Sequence, residues 1–183
     1  QAVYLTVMAA VAAAHACEQL CGESIRIKWV NDLWKDGRKV CGILTEAAMD
    51  VESGLLDYAI VGPGFNLVPP PEGWPAELQG IAGSLFTAAP PPGARARLAA
   101  AFLNEFWPLY RSFRRKDFLP EYLARQALPG RHVEVRPGRA DTYGATVLGV
   151  DEECRLLVRP DGQNRTVALS SGEVQIVPEP VVL

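Results

Sequence analysis

The chain has 183 residues, 49% of them hydrophobic and 21% charged, the profile of a cored protein rather than a disordered or fibrous one. Eighteen Lys and Arg against 21 Asp and Glu give a net charge of -3, which excludes the broad basic field of a nonspecific nucleic-acid binder. The four cysteines, 17, 21, 41 and 154, form no Cys-x-x-Cys pair and only two histidines accompany them, so no metal site is expected from these residues and the thiols read as free, in a cytoplasmic protein.

Residues 2–21 are the first predicted element, a helix with seven alanines among positions 2–16 and Gly22 at its C-cap. Residues 2–17 are almost wholly apolar and Ala14-His15-Ala16 resembles a cleavage site. No Lys or Arg precedes Arg26, however, and the run is too short to span a bilayer. A buried helix and no membrane association are therefore expected. The chain begins at Gln1 within this pattern, so an upstream segment is expected to be missing.

Ile25, Ile27 and Trp29 alternate with Arg26 and Lys28, a period-two strand. Asp36-Gly37 predicts a hairpin turn between residues 33–35 and 39–46. Ser53-Gly54 marks a further turn. A third strand covers 57–68, with Gly62-Pro63-Gly64 predicting a bulge or an edge. Two Pro-Pro-Pro runs, 69–71 and 90–92, bracket a loop region with a short helix expected over 81–86. An amphipathic helix is predicted over 94–116, kinked at Pro108, and a short one over 120–126. From Gly130 the texture becomes that of five short strands, with turns at 137–138, 151–153, 161–162 and 171–172. These predict a small β-barrel, and the domain boundary falls near 128–130.

Chemistry-bearing residues cluster in Lys28-Trp29-Val30-Asn31-Asp32-Leu33, in Lys39-Val40-Cys41-Gly42-Ile43-Leu44-Thr45-Glu46 and in Gly62-Pro63-Gly64-Phe65-Asn66. Singly they read blandly: Asn31-Asp32 as an Asx turn, Lys28 and Lys39 as solvated lysines, Trp29 and Trp34 as packing residues. Gly42, Gly62 and Gly64 are harder to dismiss, because a glycine within a strand weakens it unless backbone or ligand must come close.

Taken in order, these clusters resemble the catalytic core of bacterial biotin protein ligases. The resemblance runs over nearly the whole chain, including Gly130-x-x-Val133, Gly144, Gly149-Val150-Asp151 and Ser171-Gly172-Glu173-Val174. It implies an α+β fold, a mixed sheet backed by helices over 1–128, and an SH3-like barrel over 130–183. It also implies an enzyme that joins biotin to ATP as biotinoyl-5′-AMP and passes the acyl group to a lysine of a biotin carboxyl carrier protein, with Mg2+. By the same resemblance Lys39 contacts the biotin carboxylate and the adenylate phosphate. By that resemblance Asn31 and Asp32 support nucleotide and metal binding, Lys28 binds ATP, and Lys39 and Asp32 are the catalytic residues. Gly42, Ile43 and Leu44 line the biotin pocket, and Gly62, Gly64 and Asn66 flank the adenylate.

The sequence also departs from the family. Val30 stands where Pro is usual, and Pro63 and Phe65 replace smaller or aliphatic residues. The family's Gly-Arg-Gly-Arg loop, the strands completing its biotin pocket and any DNA-binding winged helix would lie upstream of Gln1. The chain alone is therefore expected to ligate poorly. A lipoate-type ligase and a non-catalytic remnant that binds nucleotide or a partner stay open as alternatives, and so does a homodimer.

Overall fold

A computed structural model describes residues 2–50, 52, 56–136, 141–170 and 173–176. The turns expected at 53–54, 137–138 and 171–172 lie outside the described residues. The chain divides into two compact units, 1–127 and 128–183.

The first unit is built on helix α1, Ala2–Cys21. Its run of small residues lets neighbouring elements approach closely, and every residue from Val7 to Ala14 is buried. Gly22 ends it at φ 74°, its N–H returning to the Glu18 carbonyl, the left-handed cap that glycine adopts at least cost. The helix runs four residues beyond the apolar stretch and is long and apolar enough to cross a membrane. Burial, not shortness, is what marks it as a core helix.

Four strands follow: β1 Arg26–Lys28, β2 Asp32–Lys35, β3 Arg38–Met49 and β4 Leu56–Phe65. They pair in that order and antiparallel throughout. The expected mixed sheet is thus antiparallel, and among the described residues parallel pairing is confined to the isolated bridges Ile27–Gln126 and Lys39–Ala82. Asp36 and Gly37, at φ 51° and 74°, make the tight turn whose positive φ angles match strand twist. β4 is an edge strand that runs straight through Pro63, paired with Ile43. An edge tolerates the missing N–H, so no bulge forms there.

Helix α2, Ala94–Arg111, packs Leu98 and Phe102 inward and continues through Pro108 to end one turn later. A 3-10 turn at Phe113–Arg115 replaces the last turn of the predicted helix. Helix α3, Leu119–Ala124, buries Leu119 and Tyr122. The helix expected over 81–86 does not form. A 3-10 turn lies earlier, at Ala76–Leu78, and 81–86 instead runs beside β3.

The second unit holds β5 His132–Arg136, β6 Tyr143–Val150, β7 Leu156–Pro160, β8 Val167–Leu169 and β9 Glu173–Ile176. They form one antiparallel sheet in the order β8-β7-β6-β5-β9. Alternate residues Val133, Val135, Ala145, Val147, Leu156, Val158 and Val174 are buried. Among the described residues β8 and β9 do not pair, so the expected barrel is found as an open five-stranded sheet.

Candidate functional site

Side-chain alternation gives the first sheet two unlike faces. Leu33, Cys41 and Ile43 are buried, and Thr45 on the same face takes a 2.8 Å hydrogen bond from Thr6 of α1. The opposite face carries a row running across all four strands: Lys28 pairs with Asp32, Asp32 with Gly42, and Gly42 with Gly64. The next row pairs Leu44, 62% exposed, with Gly62. Six of the ten expected site residues therefore share one face, and its floor is bare backbone at three of them. Ile43 is turned the other way, into the helix side, at 2% exposure.

Lys39 completes this face. Its Nζ lies 2.6 Å from Asp32 Oδ1, with the lysine side chain 40% exposed and the aspartate 16%. A Cβ on Gly42 would stand 2.9 Å from both Cε and Nζ of Lys39, and 3.6 Å from Asp32 Oδ1. The lysine is thus laid over the glycine, and the glycine is what makes room for the pair. Lys28 sits over the Trp34 ring, 5.7 Å from its centroid. Trp29 is buried.

The two asparagines act on the backbone. Asn31 donates through Nδ2 to the Ile43 carbonyl at 2.6 Å and accepts the Ile43 N–H at its own carbonyl at 3.0 Å. This fixes the turn that delivers Asp32. Asn66 donates through Nδ2 to the carbonyls of Lys39 and Gly83 at 3.4 and 3.0 Å. Its amide nitrogen is thereby committed to two backbone carbonyls.

Sequence reasoning missed the strap formed by 81–86. The Lys39 N–H donates to the Ile81 carbonyl and the Lys39 carbonyl accepts from Gly83, each at 2.8 Å, while the Leu85 N–H reaches Asn66. Lys35 adds a 3.0 Å bond to the Leu85 carbonyl. Gly83 is a necessity of this contact, since a Cβ there would lie 2.8 Å from Arg38 Cβ. A glycine inside a segment expected to be helical was the available signal. Beneath the face, burial and then the Asp32 charge push the Cys41 thiol up to about 12, which favours the protonated thiol.

This arrangement can hold an anion: a half-exposed ammonium above bare backbone, beside a carboxylate able to receive a cation once the ammonium moves. Together with the helix-backed sheet and the small all-β unit it gives an α+β protein with a polar, glycine-floored sheet face. No family model matches the chain. Over 174 residues it is 31% identical to the biotin–[acetyl-CoA-carboxylase] ligase of Paracoccus denitrificans, covering 86% of this chain and 67% of that one. It is 35% identical over 157 residues to the bifunctional ligase/repressor BirA of Bacillus subtilis, covering 84% of this chain and 47% of that one. The chain thus spans about half the length of the first curated relatives it matches. In structure it resembles the apo biotin protein ligase of Aquifex aeolicus at a TM-score of 0.78 and 19% identity, over 96% of this chain and 76% of that one. The same ligase in complex with biotin and ATP gives 0.73 at 20% identity, over 96% and 71%. The chain belongs to the biotin protein ligase family.

Proposed function

We propose that this chain carries the anion-handling face of a biotin–[acetyl-CoA-carboxylase] ligase. Such an enzyme joins the biotin carboxylate to the α-phosphate of ATP, releases pyrophosphate, and passes the acyl group from biotinoyl-5′-AMP to a lysine of a biotin carboxyl carrier protein. The observation that carries this reading is the row Lys28–Asp32–Gly42–Gly64 with the Lys39 ammonium laid across it. Bringing a carboxylate to a phosphate forces two anions together, and a cation free to leave its partner offsets that repulsion.

In this reading Lys39 turns from Asp32 to the biotin carboxylate and the adenylate phosphate. Lys28, Asn31 and Asp32 serve the nucleotide, and Gly62, Gly64 and Asn66 flank the adenylate. Gly42 and Leu44 line the biotin pocket, with Ile43 contributing its backbone. Among the described residues no three His, Cys, Asp or Glu converge on one point. Asp32 offers one carboxylate beside Lys39, which fits magnesium's habit of taking one or two carboxylates and completing its shell with substrate phosphates and water. When bound, magnesium would draw charge from the phosphates. The chain's own part is to hold the Asp32 carboxylate toward it.

We read the second unit as the family's SH3-like C-terminal domain, serving ATP or the carrier rather than biotin. The free thiols fit a cytoplasmic enzyme. A chimera in which this chain replaces the matched residues of the Paracoccus denitrificans ligase tests the reading. It should transfer labelled biotin to a carrier domain only with ATP and magnesium, and should not use lipoate in place of biotin. A folded chimera that transfers no biotin would overturn it.

A further inference from the structure

We propose that His15 is held as an imidazolium that clamps α1, α2 and α3 together, and that the helix side of the first unit loosens when this proton is lost. His15 Nδ1 lies 3.1 Å from Glu105 Oε2 of α2, and Nε2 lies 2.6 Å from Glu121 Oε1 of α3. A neutral imidazole has one N–H and one lone pair. In either neutral tautomer, one ring nitrogen would therefore turn its lone pair on a carboxylate oxygen. Only the doubly protonated ring satisfies both contacts.

The surrounding charges agree. Arg125, the C-cap of α3, donates from Nε to Glu121 at 2.8 Å and bonds both oxygens of Glu18 on α1 at 2.6 and 2.9 Å. Glu121 and Glu18 thus keep a cation whatever His15 does. Glu105 does not: its other partner is the uncharged Gln19 amide, at 2.7 Å. Three carboxylates facing two cations become three facing one when His15 is neutral, and the α1–α2 contact loses its charge.

The network also reaches the sheet. Glu18 accepts the Ile25 N–H at 2.9 Å, Arg125 Nη1 donates to the Ile25 carbonyl at 3.0 Å, and the Arg125 carbonyl accepts the Ile27 N–H at 2.8 Å. The clamp therefore shares its charges with the groups that grip β1.

Burial by itself would lower the affinity of His15 for its proton, and Arg125 opposes the charge too, but the bonds to Glu121 and Glu105 outweigh them and raise the pKa above 6.5. A pKa raised on folding stabilises fully below the unfolded value of about 6.5 and is lost as pH rises through the folded one.

The chain has two histidines, so nitrogen-15 spectra of the full chain resolve the question, with His132→Gln to assign them. At about pH 6 both His15 ring nitrogens should carry protons, with a titration midpoint above 6.5. A single neutral tautomer at that pH, or a midpoint at or below the ordinary value, overturns the proposal. Melting temperatures of wild type and His15→Gln, compared from about pH 6 to about pH 9, should converge as pH rises. A gap that does not change with pH overturns it equally.

Discussion

Replacing Gly42 with alanine separates the two readings of this glycine. The added methyl carbon would sit 2.9 Å from Lys39 Cε and Nζ, closer than real Cβ contacts allow. What it meets is the end of a flexible side chain, not backbone. The fold can therefore survive, with the ammonium pushed off Asp32 and out of the row. The pair is half exposed on the lysine side, so its loss costs the fold about 0.2–1 kcal/mol, a fall in melting temperature of at most about 4 °C. The consequence for a bound anion is larger. A hydrogen bond from an ammonium to an anionic ligand is worth about 1.5–3 kcal/mol, which is roughly 10–150-fold. In the ligase chimera, Gly42→Ala should therefore slow biotin-dependent pyrophosphate exchange by at least about tenfold while unfolding near the wild-type temperature. If exchange is unchanged in a folded variant, the ammonium does not act over Gly42. If the variant instead unfolds, the glycine serves packing and the site argument fails.

Lys39→Ala should lower the same exchange by at least about tenfold with little change in melting temperature; unchanged exchange in a folded variant would remove Lys39 from the site. Gly83→Ala meets Arg38 Cβ at 2.8 Å, an atom that cannot swing away, so it should destabilise the first unit by about 1–3 kcal/mol, read by denaturant titration. Leu98→Ala, at 3% exposure in α2, should cost about 2–5 kcal/mol on the same assay. On the acid side, burial would raise the carboxyl pKa values of Glu18 and Glu121, but bonds from Arg125 and, for Glu121, from His15 hold both below 4.5. Their contribution is full above about 4.5 and is lost as pH falls through the lowered values, so Arg125→Gln should flatten the acid limb of a stability–pH curve.

Local signals in the sequence were reliable where local physics decides the structure. The alanine run with Gly22 behind it defines α1, and Asp36-Gly37 defines its hairpin, because each depends on backbone preferences within a few residues. Segment 81–86 is not helical because its conformation is imposed from outside. Ile81, Gly83 and Leu85 bond to Lys39 and Asn66, and within the segment only Gly83 hints at that close approach. The candidate site was legible as a set of residues but not as an arrangement. Which of them share a face depends on the register that pairs Lys28 with Asp32, Asp32 with Gly42 and Gly42 with Gly64. Ile43 stands between Gly42 and Leu44 in sequence, yet strand alternation turns it to the other side. The His15 cluster was invisible because its partners lie 90 and 106 positions away.

The two charged clusters of the first unit are built from similar groups and are suited to opposite tasks. Arg125 is 16% exposed and bonds two carboxylates and a backbone carbonyl at once. To leave, it would abandon several bonds at once and leave two part-exposed carboxylates, Glu18 and Glu121, without their guanidinium. Lys39 has one carboxylate partner, a 40% exposed side chain and a glycine beneath it. Giving up that pair costs about 0.2–1 kcal/mol, less than the roughly 1.5–3 kcal/mol offered by an anionic ligand. The balance favours the ligand, and the departing ammonium leaves Asp32 with a carboxylate that seeks another cation. On the proposed function, anion binding and cation binding at this face would be coupled through one flexible side chain, and the coupling would work because the lysine's resting contact is weak.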